Sequence, residues 1–150
     1  MHIDIARIRS SLLVTLLVGA VFSLLSAEAP AQDGVPDLTG DWSGTGWGVV
    51  SGNLPHHQTP APEPRFKQGK TTFTLKITQQ DGSGLIGTWN SPNFSEKLIG
   101  VIRSDNKTVH FVDEDSHFNG IIQSVNKIEV CLQESQEDSM VATCYILQRR

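Results

Sequence analysis

Two cysteines, one tyrosine and no tryptophan beyond Trp89 are what this chain of 150 residues has least of. With so few cysteines it cannot be a disulfide-dense miniature scaffold or a Cys-rich metal domain. Basic charge is also short, with 12 Lys and Arg against 16 Asp and Glu, a net charge of −4. That balance argues against nucleic acid and against anionic membrane surfaces as partners. No phosphate-binding loop, no Ser/His/Asp pattern with a nucleophile elbow and no thiol free for nucleophilic work are present. We therefore expect no catalytic residues, no enzymatic activity and no cofactor. Helical periodicity is scarce, and nothing after residue 31 is apolar enough to span a bilayer.

The N-terminus has the three parts of a secretory signal peptide. Arg7 and Arg9 are its positive region, Leu12 to Leu25 its apolar region, and Ala29 and Ala31 stand before the cut. Cleavage after Ala31 avoids a proline just past the cut. The apolar run is shorter than the roughly 20 residues of a membrane span. Residues 1–31 thus read as a signal peptide and 32–150 as one secreted or periplasmic domain. It would carry no membrane segment after cleavage, and its net charge would stay the same.

Period-2 alternation dominates the mature part. In TFTLKIT, Phe73, Leu75 and Ile77 share one face. LIGTWNS, EKLIGVIRS, KTVHFV, HFNGIIQSV, KIEVCLQES and MVATCYILQRR follow, separated by turn residues such as QDGSG and Asp105-Asn106. With the opening stretch LTGDWSGTGWG these are eight short strands. The spacing predicts an all-β, eight-stranded antiparallel up-and-down barrel, whose closure removes exposed sheet edges. The one long connection, 51–69, is rich in proline and lacks alternation. It reads as a lid loop over one mouth or as a disordered spacer.

The opening stretch places Gly40, Trp42, Gly44, Gly46 and Gly48 on one face, and Trp47 and Val49 on the other. The glycine face points inward, so one wall is bare backbone above a single plugging tryptophan. Gly87, Gly100 and Gly120 fall in phase with the apolar faces of their own strands. Such glycines either leave room for a ligand or permit tight coiling and make space for Trp89, Phe111 and Phe118. We expect the first at Gly44, Gly46 and Gly48, with Trp42, Trp89, Ser91, Phe111 and Tyr145 completing the ligand wall.

Gly40-Asp41-Trp42 resembles the G-x-W signature on the first strand of calycins, the superfamily of lipocalins, fatty-acid-binding proteins and avidins. The resemblance is closest to avidins, through LTGDW, DGSGLIGTWNS and LIGVI. It implies an arginine near the chain end, Arg149 or Arg150, packed across Trp42. It also implies that Trp89 and Ser91 lie where avidins place ligand-contacting residues. Gly44 and Gly48 stand where avidins carry polar groups for the ureido oxygen of biotin, so the shape carries over and biotin binding does not.

Pairing the last two strands with Cys131 opposite Cys144 sets Val130 against Tyr145 and Leu132 against Thr143, bringing the apolar faces into phase. A disulfide is expected there in a secreted chain, the alternative being two free thiols. His110 and His117 become cross-strand neighbours if the acidic hairpin turns at Asp113-Glu114, with Asp115 on their face. Paired surface residues account for them, as for His56-His57, so no metal is expected. The functional reading is a calycin-like barrel that binds a small amphipathic or apolar ligand in its open mouth. The alternative is a periplasmic protein-binding module such as a protease inhibitor, with outward Trp47 as its anchor. The partner is accordingly a small molecule or a secreted protein.

Overall fold

A computed structural model describes residues 34–53, 60–69 and 71–150. The expected signal peptide at 1–31 and the histidine pair at 56–57 lie outside the described residues. Ten strands run in order: β1 Gly40–Gly44, β2 Gly46–Gly52, β3 Ala61–Gln68, β4 Phe73–Asp81, β5 Gly84–Asn90, β6 Ser95–Ile102, β7 Thr108–Val112, β8 Ser116–Ser124, β9 Lys127–Ser135 and β10 Ser139–Arg149. No helix is found among the described residues.

Nine of the ten strands make up the eight positions of a closed antiparallel barrel. Trp42 pairs with Arg149 and Gly46 with Tyr145, so one register against β10 runs through Thr45 and joins β1 to β2 as a single long strand. On its other side that strand meets β4 along β1 and β3 along β2. From β4 to β10 each strand pairs with the next in sequence, and β1 closes the cylinder on β10.

The stretch 51–69 is not the strandless connection its composition suggests, because residues 61–68 form β3. Pairing with β2 needs only the N–H groups on one side, and an edge strand tolerates Pro62 and Pro64. Among the described residues, β3 has β2 as its one neighbour and so leaves the cylinder wall.

Alternation sets the faces as expected. Phe73, Leu75 and Ile77 are buried, as are Val109, Phe111 and Phe118. Trp47 points outward and is 67% exposed. Cys131 and Cys144 form the disulfide, with Val130 opposite Tyr145 and Leu132 opposite Thr143. Such a bond is compatible with an extracytoplasmic address.

The acidic hairpin turns one residue later than Asp113-Glu114. Its ends are Asp113 and Ser116, where the Asp113 N–H donates to the Ser116 carbonyl and the Asp113 carboxylate accepts the Ser116 N–H at 2.6 Å. His110 therefore faces Asn119 and contacts its side-chain oxygen at 2.8 Å, while His117 faces Val112. The two imidazoles are not a directly opposed pair. At the next hairpin toward the N-terminus, the Asp105 carboxylate accepts the N–H groups of Lys107 and Thr108 and the Thr108 hydroxyl. These bonds hold its carboxyl down at about 2, and Asn106 takes the left-handed conformation that the turn requires.

The base of the barrel is sealed by Arg149. Its guanidinium lies 4.2 Å from the centre of the fully buried Trp42 ring. It also donates to the carbonyls of Thr39, Asp37 and Val125, at 2.5, 2.6 and 3.1 Å. Trp42 Nε1 donates to the Leu38 carbonyl at 2.9 Å, and Leu38 is itself buried. Replacing the guanidinium by an apolar chain removes the cation over the ring and leaves carbonyls without donors. Arg149→Met should cost about 2–4 kcal/mol in urea unfolding, and Arg149→Lys about half of that, since an ammonium keeps the charge and loses the fork.

Candidate functional site

The mouth lies at the other end, where the turns after β5, β7 and β9 gather. β5 brings Trp89 there, β4 Phe73 and β10 Tyr145. Their rings fill the barrel beneath the mouth. Phe73 stacks on Trp89 with centroids 5.4 Å apart, and Tyr145 meets Phe73 at 4.9 Å and Trp89 at 5.1 Å. Phe118 closes on Trp89 from below at 5.3 Å. Offset and edge-on contacts of this kind contribute beyond the area they bury.

Above these rings a recess of ≈ 20 Å³ remains, lined also by Phe94, Glu96, Ser116, Leu132, Glu134 and Val141. Its polar groups come from strand alternation. Ser116 is in phase with Phe118, and Glu134 is in phase with Val130 and Leu132, so both are turned inward and buried. The Ser139 hydroxyl donates to Glu134 at 2.5 Å. Among the described residues, the buried Trp89 Nε1–H has no partner. On the rim, Glu96, Asp113 and Asp115 bring carboxylate oxygens within 4.8 Å of one another. Burial pushes the Asp113 carboxyl above its usual range, against the N–H groups of Ser116 and Asp115 that favour its charge. A neighbouring recess of ≈ 10 Å³ lies between Lys67, Tyr145 and Gly46.

Of the residues expected to line a ligand wall, Trp89 and Tyr145 border the main recess and Gly46 the smaller one. Trp42 belongs to the base. Ser91 sits in the turn after β5, where its hydroxyl accepts the Asn93 N–H at 3.1 Å. Phe111 is buried lower in the barrel against Gly100, where a Cβ would run into its ring.

The glycine face points inward, and at Gly44, Gly46 and Gly48 it lies close against β10. A Cβ on Gly46 would stand 2.5 Å from Cδ1 of Tyr145 and 2.6 Å from the Cys144 carbonyl. One on Gly44 would meet the Ile146 carbonyl, and one on Gly48 the Thr143 hydroxyl. These glycines let β10 approach and let the Tyr145 ring lie flat across the wall. At all three positions the missing side chain serves the packing of the wall.

Glu134 and Ser116 escaped the sequence reading, although each stands in the inward phase of an otherwise apolar face. A polar residue in that phase was the available signal. No protein-family model matches this chain, and no curated protein matches its sequence.

Two outcomes follow from the packing. Gly46→Val should overpack the wall and lower stability by about 1–3 kcal/mol in thermal or urea unfolding. Tyr145 is the one tyrosine of the chain, and burial pushes its hydroxyl up to about 12, the Thr143 side chain opposing the shift. The folded state thus keeps a proton that the unfolded chain releases near pH 10. Stability from this group is intact below pH 10 and is lost as pH rises toward 12, by about 2 kcal/mol. Ultraviolet titration should show phenolate only near pH 12 or on unfolding, and a transition near pH 10 in the folded protein would contradict this burial.

Proposed function

We propose that this chain is a secreted, calycin-like protein-binding module that docks another secreted protein on the outer face of β2 and β3. One observation carries the reading. Trp47 and Phe66, 67% and 87% exposed, stand as diagonal neighbours on the same outward face. Exposed rings grouped in this way mark interaction surfaces, and aromatic anchors dominate binding energy in protein interfaces.

The surroundings of the two rings support the same use. Val49 lies between them, directly opposite Phe66. Cys144 pairs with Trp47 across the β10–β2 ladder, so the disulfide lies beside Trp47 on this outer face and cross-links β10 to β9 there. An anchor held on a rigid wall loses little freedom on binding. Pro62 and Pro64 blunt the free edge of β3, which favours side-chain docking over strand addition. The interior favours a protein partner over a stored small molecule. A pocket for a drug-sized ligand needs about 300 Å³ or more, and the recess holds ≈ 20 Å³. The calycin-like part of the reading rests on Gly40-Asp41-Trp42 and on the Arg149 guanidinium over Trp42.

Site-specific photo-crosslinking in the cell envelope tests the docking face. A photoreactive residue at position 47 or 66 should give a discrete adduct with a second polypeptide, and one at exposed Lys97 on the far wall should give none. With that partner in hand, Trp47→Ser with Phe66→Ser should weaken binding by roughly 2–4 kcal/mol. Thermal stability should change by no more than about 0.5 kcal/mol, because neither ring is buried. Adducts between copies of this chain alone, or none from either position, would overturn the proposal.

A further inference from the structure

The Cys131–Cys144 disulfide lies on the outer wall and not in the core. Val130, Leu132, Thr143 and Tyr145 take the inward phase on either side of it, while Cys144 is exposed and Cys131 half-buried. A thiolate therefore reaches the bond without any prior opening of the fold. Nor does the bond hold together parts that would otherwise separate. β9 and β10 share nine residue pairs, from Met140 with Ser135 to Gln148 with Lys127, and the cysteines are one pair within that ladder. When the bond opens, the ladder still joins the two strands, and their inward side chains keep their places. Oxidised and reduced forms are thus both folded barrels, which reversible exchange requires.

The neighbours of the bond give it a direction. His110, Asn119, Cys131, Cys144 and Trp47 form one row across five strands of the outer face, each directly opposite the next. The Asn119 side-chain oxygen is engaged by His110 Nδ1 at 2.8 Å, which leaves the Asn119 NH₂ to donate to a thiolate on Cys131. A leaving thiolate stabilised by a donor departs faster. Cys144 is the more exposed sulfur and so the one attacked. We propose that Cys131–Cys144 is a thiol-exchange site, reduced by a dithiol. A thiolate of the dithiol bonds to Cys144 Sγ, the Cys131–Cys144 bond breaks, and its electron pair leaves on Cys131 Sγ, which takes up a proton. The second thiol of the reductant loses its proton and attacks the reductant's own sulfur in the mixed disulfide. That closes the reductant's disulfide and releases Cys144, which takes up a proton. The dithiol gives up two electrons and two protons, and the cysteine pair gains them. A monothiol is expelled again, because the ladder holds Cys131 opposite Cys144. Two thiols need more room than one bond, so reduction moves the Cys144 side chain beside Trp47 and is felt at that ring. The exchange needs nothing docked on Trp47 and Phe66, so it stands or falls independently of the docking face.

Dithiothreitol and glutathione are the probes, used on the folded protein without denaturant. Timed alkylation and intact mass should show dithiothreitol opening the bond at a rate within about a hundredfold of that for oxidised glutathione, a fully accessible disulfide. The reduced protein should stay folded, with Tyr145 still titrating only near pH 12. Of the three indole ¹H–¹⁵N resonances, that of Trp47 should move on reduction, and those of the buried Trp42 and Trp89 should stay in place. A brief glutathione pulse quenched with N-ethylmaleimide should put glutathione on Cys144 and the maleimide on Cys131. Asn119→Ala should slow exchange about threefold through the lost donor to the leaving thiolate. Slower reduction than the hundredfold limit would overturn the proposal, and so would unfolding on reduction, since either marks a purely structural bond. Glutathione on Cys131 would overturn the direction of attack, and an unmoved Trp47 resonance the coupling to that ring.

Discussion

The barrel depends on its closure, and the closure depends on Arg149. β1 touches β10 through two residue pairs, Trp42 with Arg149 and Ser43 with Gln148. These two pairs are the end of the longer ladder that β2 continues along β10. The guanidinium reinforces it by covering the Trp42 indole and by binding carbonyls from the segment before β1 and from the turn before β9. Three parts of the chain that are distant in sequence are thus tied at one charged group. Leu38 is held beneath the indole by the same arrangement, so the base is capped as well as closed.

Closure at the base governs what happens at the mouth. Because β1 and β2 are one strand, fixing the register of β1 also fixes that of β2 along β10. β2 then continues beyond the part of the wall that β4 covers, and β3 takes up the pairing there. The wall opens at this point, since β3 pairs with β2 and with no other described strand. One element thereby gains an inner face toward Tyr145 and an outer face that carries Phe66.

The two faces have opposite chemistry. Inside, Phe73, Trp89, Phe118 and Tyr145 pack ring on ring and reduce the cavity to a small polar notch around Glu134. Outside, Trp47, Val49 and Phe66 stay exposed on a sheet stiffened by the disulfide. A barrel that spends its aromatic volume on filling itself has little room to store a ligand, and what it can offer a partner is surface. That distribution is why the proposed function rests on the outer wall.

Much of the fold was legible in the sequence because strand alternation is a local property. The parity of Phe73, Leu75 and Ile77, of Trp42 against Trp47, and of Cys131 against Cys144 settles faces and the last register before any tertiary contact is known. The G-x-W resemblance pointed to an arginine on Trp42, and Arg149 takes that place. The sequence alone did not decide the rest, because each remaining feature belongs to a pairing between distant residues. β3 exists because β2 presents an open edge, which a proline-rich stretch does not reveal. His110 and His117 miss one another because the Asp113 carboxylate and the Ser116 N–H shift the turn by a single residue. Gly46 reads as bare wall until Tyr145, far along the chain, is laid across it. Glu134 was visible as a polar residue in an apolar phase, but only the closed barrel brings it to the same recess as Trp89. Alternation determined which way each side chain points, and tertiary packing decided whether the space it points into is empty.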